Sequence, residues 1–187
     1  MTARPYLNQG APDVNAPNVY VGRSKKKFRD VGCTLTAVAQ AIRKLGVDGA
    51  ATGVTVQTRC LAAWDKVEGS KTMPYAAGSA AAFVGVLGNG NGVVVHDKIN
   101  LVEPKMHDVL IDSLKAGHPV LLLVDHDGKP GVDHWLCALA LDGDDIVYAD
   151  PDGGYEGRMS RTLLEGYSPN GRHRYKVLGI RVVTREA

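Results

Sequence analysis

The sequence lacks long apolar runs and a strong charge of either sign. No apolar stretch approaches the roughly 18–20 residues that a helix needs to cross a bilayer, which excludes a helical membrane span. The first fifteen residues are polar and contain no secretory signal, so we expect a cytoplasmic protein. A net charge of +2 is too small to indicate a nucleic-acid or membrane partner.

Cysteine is also scarce and poorly spaced for cross-linking. The three cysteines, Cys33, Cys60 and Cys137, are odd in number and far apart. They form neither a disulfide framework nor a C-x-x-C metal pair. We therefore expect free thiols, with Cys60 and Cys137 buried in the middle of apolar elements.

The chain of 187 residues, 44% hydrophobic and 22% charged, has the composition of a globular protein. This length predicts one domain over 1–187. Prolines at 5, 12 and 17 and several Asn and Gly residues predict an extended N-terminal arm over 1–30. The basic run at 24–29 lies in this arm, and we expect it to be a solvated loop.

Apolar residues recur at helical spacing in the first part of the chain. The clearest helix covers 33–45 and stops before Gly46, which places Cys33 in its first turn. Further helices are predicted over 55–67 and 76–87, and from Met106 to Gly117. The segment 88–92, GNGNG, lacks the features of a phosphate loop and is expected to be a turn before a strand-like run over 93–96.

The second part of the chain reads as strands. Apolar runs predict strands over 119–124, 134–141, 145–150 and 175–183. Helices followed by neighbouring strands indicate an α+β fold rather than alternating βαβ units. We expect a mainly helical part over 31–117 followed by an antiparallel sheet part over 118–187, packed as two lobes.

One cysteine stands where its thiol would be activated. The positive end of a helix dipole and a nearby imidazolium both favour the thiolate, and Cys33 has the first of these from its position. His134 opens an apolar strand, where an unpaired ring would be costly, and Asp150 ends the next strand. These residues are candidates for a nucleophile, its base and the group that orients the base.

The hairpin between these strands decides whether His134 and Asp150 share a face. A two-residue turn at Asp142-Gly143 would put them on opposite faces of the sheet. A three-residue loop over 142–144 would pair Leu141 with Asp145 and set the two side chains one diagonal step apart. The sequence allows either loop, and we predict the three-residue one.

Several motifs together resemble a known family, the bacteriocin-processing type of papain-like cysteine peptidases, in the stand-alone form found in bacteria and phages. They occur in the order YLNQ at 6–9, VGCTLTAVAQAIRKLG at 31–46, LKAGHPVLLLVD at 114–125 and DHWLCALALDGDDIVYADPDGG at 133–154. The resemblance implies a papain-like fold in which Cys33 is the nucleophile, His134 the general base and Asp150 its orienting group. It also implies that Gln9 stabilises the oxyanion with its side-chain amide.

The expected substrate is accordingly a peptide, a protein or a peptidoglycan stem peptide, cleaved through a thioester without a cofactor. Zinc binding by Cys33, His134 and Asp150 is chemically conceivable. A cysteine at a helix start fits proton transfer better, and we predict no metal. The other histidines receive no role. The alternative function is a non-catalytic structural or binding module, for example a component of a phage particle, in which case the protein would be packaged in the virion.

Overall fold

The computed structural model describes residues 6–10, 20–21, 26–68, 84–127 and 133–187. Its helices are α1 (Phe28–Val31), α2 (Cys33–Lys44), α3 (Gly53–Glu68) and α4 (Met106–Lys115). Its strands are β1 (Val93–Val95), β2 (Ile99–Asn100), β3 (Val120–His126), β4 (Asp133–Asp142), β5 (Asp145–Asp150), β6 (Tyr155–Ser160), β7 (Glu165–Tyr167) and β8 (Arg174–Arg185).

The strands form an antiparallel sheet that closes on itself. Its order is β1-β8-β3-β4-β5-β6-β7, and β7 pairs in turn with β8. The six strands from β3 to β8 therefore make a closed ring. The short strands β1 and β2 also pair with β8, outside this ring. This closure satisfies the backbone groups that an open sheet would leave at its edges.

Helix α2 packs against one face of the sheet, and α3 packs against α2. The buried face of α2, which includes Leu35, Val38 and Ile42, shares a core with outward-facing residues of the ring such as Leu121 and Cys137. Alternate residues of the same strands point the other way, as the period of a strand requires. These alternate side chains fill the inside of the ring of strands, and α4 packs against them. The resulting second core includes Leu110 of α4 and the strand residues Leu122, Leu136, Tyr148, Tyr175 and Val177.

Most of the predicted elements are present. The helices expected over 33–45 and 55–67 and after Met106 correspond to α2, α3 and α4. The four predicted strands are β3, β4, β5 and β8, and 88–92 is a turn. The helix expected over 76–87 falls largely outside the described residues. Among the described residues, no helix has both the length and the apolar character needed to cross a membrane.

The structure differs from the sequence interpretation at several points. The end of the arm, Phe28–Val31, is a short helix rather than extended chain, because Phe28 is buried in the core beside α2. Within the part predicted to be mainly helical, the strand-like run over 93–96 forms β1 as expected, and the unpredicted β2 also joins the sheet through β8. The segment after Asp150, for which no elements were predicted, contributes β6 and β7.

The predicted three-residue hairpin loop is wrong. Asp142 pairs directly with Asp145, so the loop is Gly143-Asp144, and Gly143 has the positive φ of 58° that a tight hairpin turn requires. The register then shifts by one residue between Ala138 and Ala140, where Leu139 forms a β-bulge. Beyond this bulge, Cys137 lies opposite Ala149, which is the register that the three-residue loop was expected to give.

Candidate active site

The candidate residues meet at one end of the strand ring. Because neighbouring strands are antiparallel, the start of β4 lies beside the end of β5, and the end of β3 lies beside the start of β8. This end of the ring holds His134 and Asp150, together with His126 and Tyr175. The first turn of α2 approaches it from the outer face of the sheet, since α2 packs against β4.

Cys33 is the first residue of α2 and is half-buried. Its N-cap is Gly32, and no side chain caps this end of the helix. The partial positive charge of the helix N-terminus therefore acts on the Cys33 sulfur without a competing carboxylate. The ring of His134 and the backbone N–H of Trp135 both lower the pKa of this thiol, and Thr34 Oγ1 lies 4.0 Å from the sulfur.

His134 connects the thiol to a carboxylate. Its Nε2 lies 2.8 Å from Asp150 Oδ1, and its side chain is buried. Because Nε2 is engaged by Asp150, Nδ1 is the nitrogen left to face the Cys33 thiol. The carboxylate thus holds the imidazole ring at one nitrogen and fixes its orientation, which leaves the other nitrogen for a second partner.

Asp150 is only 1% exposed, and three donors satisfy its side chain. Besides His134, the backbone N–H of Asp152 donates to Oδ1 at 2.8 Å and the hydroxyl of Tyr175 donates to Oδ2 at 2.9 Å. Tyr175 is itself buried inside the ring. A carboxylate removed from water needs such donors, since an unpaired buried charge is strongly destabilising.

The ionisation of Cys33 and His134 is coupled. Burial raises the pKa of the Cys33 thiol, but the hydrogen bond and positive charge of His134, with the Trp135 N–H, outweigh it and lower the pKa. Burial lowers the pKa of the His134 ring, but hydrogen bonds and charges of Asp150 and Cys33 outweigh it and raise the pKa. Both shifts favour a thiolate–imidazolium pair over the neutral groups.

Gln9 lies beside the same elements. Its backbone N–H donates to the Pro151 carbonyl at 3.0 Å, which ties the N-terminal segment to the loop after Asp150. Its side-chain Nε2 donates to the Arg29 carbonyl at 2.9 Å, in the short helix that precedes Cys33. One N–H of the side-chain amide is thus engaged with α1, and the second remains for another acceptor.

Sequence reasoning missed Tyr175 and the backbone N–H of Trp135. Tyr175 was placed in the last strand without a role, because its contact with Asp150 depends on how β8 pairs with β3. No local sequence pattern indicates that β8 pairs with β3. A donor for the second oxygen of Asp150 was nevertheless required once Asp150 was taken to be buried.

Comparisons with known proteins add little to this geometry. No protein-family model matches the sequence, and no curated protein matches it. Among solved structures, the chain is similar to the crystal structure of the Pseudomonas avirulence protein AvrPphB, with a TM-score of 0.45 and 13% sequence identity. The match covers 83% of this chain and 92% of that one. A likeness of this degree assigns neither a family nor a function.

Substitution of Tyr175 by Phe tests the support of Asp150. The variant leaves Oδ2 of a buried carboxylate without its donor, so we expect the free energy of unfolding to fall by about 1–3 kcal/mol. Urea denaturation at pH 7 measures this value. Tyr167→Phe is the matched control, since Tyr167 is 65% exposed. Equal stability of the two variants would show that the hydroxyl of Tyr175 does not support Asp150.

The lowered pKa of Cys33 predicts the pH dependence of its alkylation. Only the thiolate reacts with iodoacetamide. For an ordinary thiol, the thiolate fraction and therefore the alkylation rate fall about 75-fold from pH 8 to pH 6. Because the Cys33 pKa is lowered, its rate should fall less steeply than this over the same range. Mass spectrometry of the labelled peptide follows the rate.

The variant His134→Ala should restore the steep profile of an ordinary thiol, because it removes the main cause of the lowered pKa. Cys60 and Cys137 serve as internal controls, because both are buried. Burial also raises the pKa of Cys60 to about 12 and that of Cys137 further. A steep profile for Cys33 in the unmodified protein would contradict the thiolate–imidazolium pair.

Proposed function

We propose that this chain is a papain-like cysteine peptidase or amidase that hydrolyses an amide bond through a thioester on Cys33. The observation that carries the proposal is the chain of contacts from the first residue of α2, through the ring of His134, to buried Asp150. Each group has the type and the neighbour that nucleophilic catalysis by a thiol requires.

In acylation, the Cys33 thiolate attacks the carbonyl carbon of the scissile amide. The new C–S bond forms as the π electrons of the carbonyl move to its oxygen, giving a tetrahedral oxyanion. When this intermediate collapses, the C–N bond breaks and the leaving nitrogen takes the proton from the His134 imidazolium. The products of this step are a free amine, a thioester on Cys33 and a neutral His134.

In deacylation, neutral His134 accepts a proton from a water molecule that attacks the thioester carbonyl. Collapse of the second tetrahedral intermediate breaks the C–S bond and releases a carboxylic acid, and Cys33 leaves as thiolate beside a protonated His134. Asp150 keeps the same ring nitrogen throughout and stabilises the imidazolium that forms in each cycle. No cofactor is required for either step.

The oxyanion would form at the N-terminus of α2. The backbone N–H of Cys33 belongs to the first turn of this helix, which no side chain caps, so it is suited to stabilise negative charge. We assign the second donor to the side-chain amide of Gln9, whose nitrogen is held beside α1 by the Arg29 carbonyl. Backbone and amide donors of this kind stabilise the transition state more than the substrate.

We infer that the substrate is a peptide, a protein or a peptidoglycan stem peptide. The sequence resemblance favours the bacteriocin-processing type of peptidase and a bacterial or phage setting. The alternative of a non-catalytic structural module is not favoured, because such a module needs neither an activated thiol nor a buried carboxylate behind the histidine.

The nucleophile assignment predicts the behaviour of Cys33→Ala. We expect turnover to fall by at least about 1,000-fold, because no other group can form the thioester. The free energy of unfolding should change by less than about 1 kcal/mol, because Ala is well accepted in the first turn of a helix. Hydrolysis of a library of fluorogenic peptide amides and of purified peptidoglycan fragments provides the assay, with intact-protein mass spectrometry to detect the acyl adduct.

Cys60→Ala is the control and should retain turnover, since Cys60 lies in the middle of α3 and is buried in the core. Full activity in Cys33→Ala with loss in Cys60→Ala would refute the assignment. If the unmodified protein hydrolyses nothing and Cys33 reacts as an ordinary thiol, the non-catalytic module becomes the better explanation.

Substitution of Gln9 tests the oxyanion donor separately. Gln9→Ala should lower kcat by about 100-fold or more with little change in KM, as expected when one oxyanion donor is lost. The alkylation rate of Cys33 at pH 6 should stay unchanged, because Gln9 does not contribute to its thiolate.

The control for Gln9→Ala is Tyr6→Phe, which removes a hydrogen bond from the same arm to Glu156. An equal loss of kcat in both variants would mean that Gln9 acts only by holding the arm in place.

A further inference from the structure

A second cluster of polar side chains lies next to the candidate active site. His126 ends β3, Asp127 follows it, and His173 immediately precedes β8. In the β3–β8 register His126 is opposite Tyr175, so His173 lies one diagonal step from His126. The rings of His126 and His134 are 6.2 Å apart between centroids. The cluster therefore borders the candidate active site but shares no residue with it.

The cluster has the geometry of a metal ligand set. The nitrogen and oxygen ligand atoms of His126, Asp127 and His173 all lie within 4.8 Å of one another. Asp127 Oδ2 is 2.8 Å from His173 Nδ1, and the two imidazole rings are 3.9 Å apart between centroids. Two ligand atoms of one tetrahedral zinc ion, each about 2.0–2.1 Å from the metal, lie roughly 3.3 Å apart, which falls within the spread of these ligand atoms.

The ligands are held by bonds that metal binding would leave in place. Asp127 Oδ1 accepts the backbone N–H of Arg174 at 2.8 Å, which leaves Oδ2 for a metal. Asp127 also has a positive φ of 62°, a conformation rarely adopted by residues with a side chain. The backbone N–H of His173 donates to Ser168 Oγ at 2.9 Å, which fixes the start of this segment.

The nearby cations do not compete for the cluster. The side chains of Arg174 and Lys176 both pair with Glu165, which lies on β7. A cation can therefore bind the two imidazoles of the cluster and displace the ion pair of Asp127 with His173 while leaving those of Glu165 in place. The cluster is partly exposed, which gives an ion access from solvent and leaves room for a water ligand.

We propose that His126, Asp127 and His173 bind one divalent transition-metal ion such as zinc. Two imidazole nitrogens and one carboxylate oxygen suit such an ion. The metal takes the place of the proton that lies between Asp127 Oδ2 and His173 Nδ1, and the ring, bound through Nδ1, carries its proton on Nε2 and stays neutral. Nε2 of His134 is held by Asp150, and His134 is not among the residues whose ligand atoms lie within 4.8 Å of one another.

The test uses the full chain carrying Cys33→Ala, which removes the thiolate as a competing zinc ligand. Isothermal titration with ZnCl2 at pH 7.5 should show one saturable site. His126→Ala and His173→Ala, each added to this background, should weaken binding by at least about tenfold, a loss that even an outer-shell partner produces. This result does not depend on the proposed peptidase activity.

His107→Ala in the same background is the matched control. His107 is exposed, and its Nδ1 lies 3.8 Å from Asp108 Oδ1, so the two residues form a histidine–carboxylate pair outside the proposed ligand set. Loss of His107 should therefore leave zinc binding unchanged. Zinc should also raise the melting temperature of the Cys33→Ala protein but not of the variant that lacks both His126 and His173. Absence of saturable binding, or binding that persists in that double variant, would overturn the proposal.

Discussion

The hydrogen bond between His134 and Asp150 depends on a single irregularity of the sheet. The hairpin that joins β4 and β5 begins in a register that would set Asp150 opposite Cys137, with its side chain on the face away from His134. The β-bulge at Leu139 shifts the register by one residue and returns Asp150 to the face of His134. The bulge thus lies inside β4, but it determines which side chains come together at the start of that strand.

The same hydrogen bond explains why the end of the ring contains buried polar groups. Asp150 faces the interior beside Tyr148, where an apolar side chain would pack more simply. Its burial is tolerated because His134, Tyr175 and the Asp152 backbone supply donors on both oxygens. These donors come from different strands and a turn, so the closed ring brings together groups that are distant in sequence. A polar network of this kind stabilises one arrangement only when every member is satisfied.

Local patterns were sufficient for part of this site. The apolar periodicity of 33–45 placed Cys33 at a helix start, and α2 begins at that residue. The alternation of the strands put His134 and Asp150 at neighbouring strand ends. The hairpin was predicted incorrectly, because the sequence Asp142-Gly143-Asp144 suits more than one loop and a bulge has no reliable sequence signal. Tyr175 and the cluster around His126 could not be predicted, since both depend on the pairing of β8 with β3 across a long segment of chain.

The closed ring also explains why two groups of histidines occur side by side without forming one site. His126, His134 and Tyr175 come from three neighbouring strands, and their side-chain rings lie 5.8–6.2 Å apart between centroids. The two groups of histidines differ in the carboxylates that hold them. Asp150 binds His134 on the buried side, while Asp127 binds His173 at the partly exposed edge. Burial makes the first pair suited to moving a proton within a shielded contact. Exposure makes the second pair suited to exchange its proton for an ion from solvent.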